Sequence, residues 1–351
     1  MKILVTGHMG YIGSVLVPVL LDRGHDLAGL DSDLFGGCDF GAPPVQIPQI
    51  GQDIRDFIAA PDVVERLSGF DAVIHLAGLS NDALGAYRPD LTDDINCTAS
   101  IVLARMAKLA GVSRFIFASS CAAYGDSRGR MAGESAAPRP VSAYATSKVE
   151  VERAIMPLAD SGFSPVSLRG ATAYGVSPRL RFDLVVNNLV AWAFTRRTVR
   201  LKSEGSAWRP LIHVEDLAHA FATAAEAPRD KVHRGIFNVA RSAENFRVRD
   251  LARMVRDMVP GALIAHAADA ARDPRSYRVS ADHIADALPD WQPRWNCRDG
   301  IAQLLAAYEA QGLSGTAFEG PGFDRIAHLR QRVAEGSATR DFFPLERKLA
   351  A

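Results

Sequence analysis

Short apolar runs alternating with amphipathic stretches predict an α/β fold built on a doubly wound parallel sheet with helices on both faces. The runs are apolar throughout rather than at every second residue, as in strands buried on both sides. The segments between them carry the spacing of amphipathic helices. The length, 351 residues, suits one large α/β unit or two lobes. In order, KILVTG, DLAGLD, DAVIHLAG, RFIFASS and SPVSLRG read as buried strands. YIGSVLVPVLLDRG, PDVVERLSG, NCTASIVLARMAKLAG and YATSKVEVERAIMPLADSG read as the helices between them. Gly24, Gly111 and Gly162 stand where left-handed C-terminal caps are expected. Pro18, inside the first helix, should kink it or cost roughly 3 kcal/mol.

After about residue 175 the pattern changes. SPRLRFDLVVNNLVAWAFTRR reads as one long helix, RPLIHVEDLAHAFATAAEA as a strand followed by a helix, and GIFNVA as a further strand. Between 246 and 310 helices are expected, with a strand near ALIAHA. The stretch from 313 onward is glycine-rich and then helical, and its role is open.

Lys plus Arg and Asp plus Glu both number 40, so no net charge draws nucleic acid or anionic lipid to the chain. At 48% hydrophobic and 23% charged residues the composition is globular rather than disordered. Cys38, Cys97, Cys121 and Cys297 lie far apart with no CxxC, which argues against a zinc site and against a disulfide framework. The start runs straight into a strand, and no apolar run is long enough to span a bilayer. A soluble cytoplasmic protein is the expectation.

TGHMGYIG places Gly7, Gly10 and Gly13, with Tyr11 and Ile12 among them, directly after the first strand and at the start of the first helix. Glycines there permit a tight turn and a close backbone approach to a pyrophosphate at the positive helix end. The second strand ends at Asp31, 18 residues after Gly13. A carboxylate there accepts from ribose hydroxyls and repels a 2′-phosphate, and no Arg or Lys stands between Ser32 and Phe40 to neutralise one. NAD is therefore favoured over NADP. Asp53 and Ile54 could end a strand near the adenine amine, and Leu76, Ala77 and Gly78 could let backbone pass close to the cofactor. Either could equally be ordinary strand-end sequence. In AYATSK, Tyr144 and Lys148 share one helix face. They are either a surface pair or an ammonium that lowers a phenol's pKa for acid/base work.

With TGxxGYIG, Asp31, HLAG, the Ser pair of FASSCAAYG and YxxxK in order, the chain resembles the extended short-chain dehydrogenase/reductase family. Within it the resemblance is to the NAD-dependent nucleotide-sugar epimerase/dehydratase group typified by UDP-glucose 4-epimerase. The resemblance covers roughly residues 1 to 310. It implies a Rossmann domain over 1–175, rejoined by 207–242, and a smaller α/β C-terminal substrate lobe over 176–206 and 243–312. Residues 313–351 form an extension outside it. Tyr144 is implied as acid/base, Lys148 as the group that lowers its pKa and holds the nicotinamide ribose, and Ser120, with Ser119 beside it, as the partner of the sugar hydroxyl. Arg209 and Asn188 are implied to meet the sugar or diphosphate, with Asn187 as a one-residue register alternative. His213 and Asp216 read as capping residues.

The resemblance implies an NAD-dependent epimerase acting on a nucleotide-diphosphate sugar by transient oxidation at C4, and a homodimer. A 4,6-dehydratase would carry an Asp-Glu pair where Cys121 and Ala122 stand. A reductase could use Cys121 as GDP-fucose synthase uses its cysteine, but Asp31 argues against NADP. Decarboxylation of a UDP-glucuronate remains open. So does a non-enzymatic NAD sensor, although that state would be marked by loss of Tyr, Lys or Ser, and all three are present.

Overall fold

The structure is a computed structural model that describes residues 1–80 and 82–344. Its centre is a seven-stranded, wholly parallel sheet. The strands are β1 (Lys2–Thr6), β2 (Asp26–Asp31), β3 (Gln49–Gly51), β4 (Ala72–His75), β5 (Arg114–Ser120), β6 (Ser164–Gly170) and β7 (Ile236–Val239). They lie in the order β7-β6-β5-β4-β1-β2-β3, so the chain reverses its direction of winding between β1 and β4. That switch point opens a crevice at the carboxyl ends of the strands. Ile3, Leu4, Val5, Ile74, Phe115 and Ile116 are fully buried, which is why these strands are apolar throughout.

The expected elements are present, with corrections. The first helix, Gly13–Asp22, runs through Pro18, which leaves the Ser14 carbonyl without its intrahelical donor. Gly24 and Gly111 have left-handed φ of 78° and 81°. Gly162 does not: the Tyr144 helix, Ala143–Ile155, has already ended, and Gly162 donates its N–H to the Asp160 carboxylate at 2.9 Å. Asp53 does not end a strand but caps the helix Ile54–Ala59, accepting from Arg55 N at 2.8 Å. The long helix expected from 177 is only Val185–Arg196. Pro178 and the burial of Arg179 and Arg181 hold the preceding stretch out of helix.

Smaller sheets flank the main one. Trp208–His213 pairs in parallel with Thr172–Tyr174 and antiparallel with Asn245–Arg247. Thr198–Ser203 pairs with Leu263–Ala271, and Asp126–Ala132 with Ser276–Val279. His213 and Asp216 are structural, as expected. The His213 ring accepts from Glu215 N at 3.3 Å and stacks on Trp295, and the Asp216 carboxylate takes the N–H groups of Arg294 and Trp295.

The segment beyond 313 bridges the two sides of the molecule. Phe318, on the short helix Gly315–Phe318, packs on Phe182 and Trp192. The helix Arg325–Ala334 then crosses to the β2 side, where Arg332 donates to the carbonyls of Asp33 and Leu34 at 3.0 and 2.9 Å. Residues 345–351 of that segment lie outside the described residues.

Candidate active site

The carboxyl ends of β1, β2, β4, β5 and β6 face one cavity of about 1000 Å³. Gly7, Gly10, Tyr11, Ile12, Gly13, Asp31, Asp53, Ile54, Leu76, Ala77 and Gly78 all line it, as do Ser119, Ser120, Tyr144, Asn188 and Arg209. Lys148 is buried and is not among the lining residues.

Two glycines build the turn by steric necessity. Gly7 has φ +73°, and a Cβ there would meet Ala77 N at 2.6 Å. A Cβ on Gly13 would meet the Gly7 carbonyl oxygen at 2.3 Å. No side chain caps the helix that follows; Ser14, Val15 and Leu16 donate to the Gly10 and Ile12 carbonyls, which leaves the N–H groups of Ile12 and Gly13 for an anion. Asp31 accepts from the N–H groups of Met9 and Asp33, both at 2.9 Å. Burial pushes its pKa up while those two donors pull it down. Tyr11 is pinned by its hydroxyl to the Gly175 carbonyl at 2.8 Å. The Asp53 carboxylate is held in a fork by Arg55, at 2.9 and 3.0 Å, in addition to its capping bond.

The Tyr144 helix is capped by Ser142, whose hydroxyl accepts from Ala145 N at 3.2 Å and donates to Asp82. At the β5 end Ser120 lies beside the Tyr144 phenol, its hydroxyl accepting from Ala122 N at 3.1 Å. Burial raises the phenol's pKa, opposed by the neighbouring Ser120 hydroxyl and by the buried Arg181 cation. Ser120 and Arg181 are the leading groups that pull the phenol down. Burial pushes Lys148 itself down to about 8. Its Nζ stands 5.6 Å from the Tyr144 ring centre and 4.7 Å from that of Phe117. Among the described residues, nothing accepts a hydrogen bond from that ammonium.

One further expectation changes, and two alternatives are decided. Ser119 does not offer its hydroxyl to the cavity, because it donates to Glu152 at 2.5 Å within a buried Glu152–Arg169 pair. Cys121 is fully buried with Sγ 3.1 Å from the Arg169 carbonyl, and burial raises its thiol's pKa, so it is no reactive group in this cavity. The register alternative resolves toward Asn188, which lines the cavity. Asn187 is buried and accepts from Gly175 N at 3.1 Å.

At the far end Arg209 pairs with Asp273 at 2.5 Å. Arg275 forks onto the same carboxylate at 2.8 and 2.9 Å and reaches Asp82. Arg181 forks onto Asp183 at 2.7 and 3.0 Å. Sequence reading missed Arg181, Arg275, Asp82 and Arg325 as cavity residues. They lie on irregular stretches or outside the glycine, Ser and YxxxK motifs, and carry no spacing of their own.

A profile of the NAD dependent epimerase/dehydratase family matches residues 3–240. UDP-glucose 4-epimerase of Corynebacterium glutamicum is 29% identical over 307 residues, spanning 84% of this chain and 91% of that one. UDP-glucuronic acid decarboxylase 1 of Arabidopsis thaliana is 26% identical, over 88% of this chain and 70% of its own. Among solved structures, MoeE5 in complex with UDP-glucose and NAD superposes with a TM-score of 0.75 at 25% identity, covering 89% of this chain and all of that one.

Proposed function

The chain belongs to the NAD dependent epimerase/dehydratase family, and from that premise we propose that it is an epimerase acting at C4 of a nucleotide-diphosphate sugar. The observation that carries this reading is that Ser120 and Tyr144 stand in the wall of the cavity that also holds the glycine turn and Asp31. The residues fit NAD. The turn excludes any Cβ, the Asp31 carboxylate suits ribose hydroxyls and repels a 2′-phosphate, and the buried Lys148 ammonium has no protein acceptor among the described residues. NAD, when bound, supplies the acceptor and donor of two electrons at a carbinol carbon and a cationic ring beside the phenol.

The chain's own groups move the proton. Tyr144 Oη takes it from the sugar hydroxyl, the Ser120 hydroxyl holds that oxygen in line, and Arg181 favours the phenolate while it lasts. The same path in reverse returns the proton. Lys148 Nζ faces the nicotinamide ribose in this reading, and Asn188 and Arg209 face the sugar and diphosphate. We also read 1–175 with 207–242 as the NAD-binding part and 176–206 with 243–312 as the substrate lobe. All seven strands of the main sheet fall in the first set, which supports the division.

Dehydration is disfavoured because Cys121 and Ala122 bring no carboxylate to the β5 end. The test is incubation of purified protein with UDP-, GDP-, CDP- and dTDP-sugars without added coenzyme, read by NMR. Isomerised sugar is expected. A 4-keto-6-deoxy product or a decarboxylated pentose would replace the epimerase reading.

A further inference from the structure

Arg325 belongs to the C-terminal segment, far in sequence from the glycine turn, yet it lies in the wall of the same cavity with Asp33, Leu34 and Phe35. It is only 9% exposed, and its guanidinium carbon lies 4.0 Å from the centre of the Phe35 ring. Among the described residues, no carboxylate or carbonyl accepts a hydrogen bond from its side chain. The neighbouring arginines each have a counter-ion. Arg179 pairs with Asp33 at 2.9 Å and Asp39 at 3.1 Å and donates to the Phe35 carbonyl. Arg181 is forked onto Asp183.

Burial, and then the charges of Arg181 and Arg179, pull Arg325 down to about 10, partly offset by Asp183. A buried cation with like charges beside it and no carboxylate bonded to it is costly unless an anion arrives from outside the chain. A planar fork of N–H donors held against an aromatic ring suits two phosphate oxygens. The cavity wall beyond the Asp33–Phe35 loop is the Gly7–Gly13 turn and the uncapped start of the first helix, where a dinucleotide's pyrophosphate belongs.

We propose that Arg325 binds the pyrophosphate of NAD, reaching it from the C-terminal segment across the cofactor cavity. The proposal rests on the NAD-binding reading above. The segment is built to hold that arginine in place. Arg332 clamps the Asp33 and Leu34 carbonyls, and Arg55 stacks 3.7 Å from the Phe343 ring centre while donating to the Asp341 carbonyl at 2.9 Å. Arg88 pairs with Asp341 at 3.0 Å. The strap is therefore tied down on both sides of the cofactor loop.

The test is calorimetric titration of the nucleotide-free full-length chain with NAD, ADP, adenosine and UDP, comparing wild type with Arg325→Gln and Arg325→Lys. Circular dichroism would confirm the fold. In Arg325→Gln, NAD and ADP should each bind about tenfold or more weakly, the scale of a lost charge-assisted phosphate contact. Adenosine and UDP should bind as in wild type, and Arg325→Lys should recover part of the loss. Unchanged ADP affinity overturns the proposal. So does an equal loss for adenosine, which would make Arg325 a support of the loop. A loss for UDP with ADP intact also overturns it, by assigning Arg325 to the substrate's diphosphate. If Arg325→Gln does not fold, Arg325→Lys decides: a several-fold loss for ADP with adenosine unchanged supports the proposal, and no loss overturns it. A wild type that binds neither NAD nor ADP would instead remove the cofactor reading itself.

Discussion

Tyr144 and Lys148 sit one turn apart on one helix, and burial treats them in opposite ways. It raises the phenol and lowers the ammonium, in each case because the charged form is disfavoured. Tyr144→Phe should therefore keep the fold and lower kcat by about 10²–10⁴-fold, the usual share of a positioned acid/base, measured by NMR turnover of the active nucleotide sugar. Lys148 makes a prediction about stability. Its folded pKa of about 8 lies below the unfolded value, so between these limits the unfolded chain binds more protons and stability rises with pH. The destabilisation is complete below about pH 8 and fades toward the unfolded lysine value near 10.4. Lys148→Met in NAD-free protein should melt higher than wild type at pH 7, by less at pH 10, while losing activity. Equal gains at both pH values would show that the ammonium is not desolvated.

Two elements place the chemistry, the glycine turn and the capped Tyr144 helix. Gly7→Ala puts a methyl 2.6 Å from a backbone nitrogen at a left-handed φ, a strain of about 1–3 kcal/mol or a displaced turn. The purified variant should carry less NAD, measured by the nucleotide released on acid precipitation, and should melt lower. Ser142→Ala removes the helix cap and the donor to Asp82, at a cost of about 1 kcal/mol. Its melting temperature should fall by a few degrees with NAD content preserved. The turn was legible in the sequence because only glycine satisfies its geometry. The irregular stretch 177–184 was not legible. Its apolar residues carry a helical period, while two arginines on it satisfy themselves against groups far along the chain, Arg179 on Asp33 and Arg181 on Ser80.

Across the whole molecule, the substrate side is tied to the acid/base helix through charges. Arg209 and Arg275 share Asp273, and Arg275 also reaches Asp82, which takes the Ser142 hydroxyl. Arg209→Lys keeps the charge and loses the fork, so KM for the nucleotide sugar should rise several-fold with little change in kcat. An equal fall in kcat would mean that the network also positions Tyr144. The buried Glu152–Arg169 pair supports the floor beneath Ser119 and Tyr124. Glu152→Gln strands a buried guanidinium and should destabilise the protein by about 3–5 kcal/mol in chemical denaturation.

The sequence by itself determined the parallel α/β core, the glycine turn, Asp31 at the end of β2, and Tyr144 and Lys148 on one helix. These depend on local rules: apolar strands, glycine at positive φ, and residues one helical turn apart. Only the tertiary structure decided that Ser119 serves Glu152, that Cys121 is sealed away, that Asn188 rather than Asn187 faces the cavity, and that Arg181 and Arg325 line it. Those outcomes turn on burial and on which distant charge or carbonyl satisfies each polar group. That pairing is set when segments distant in the chain are packed together, and no spacing along the chain encodes it.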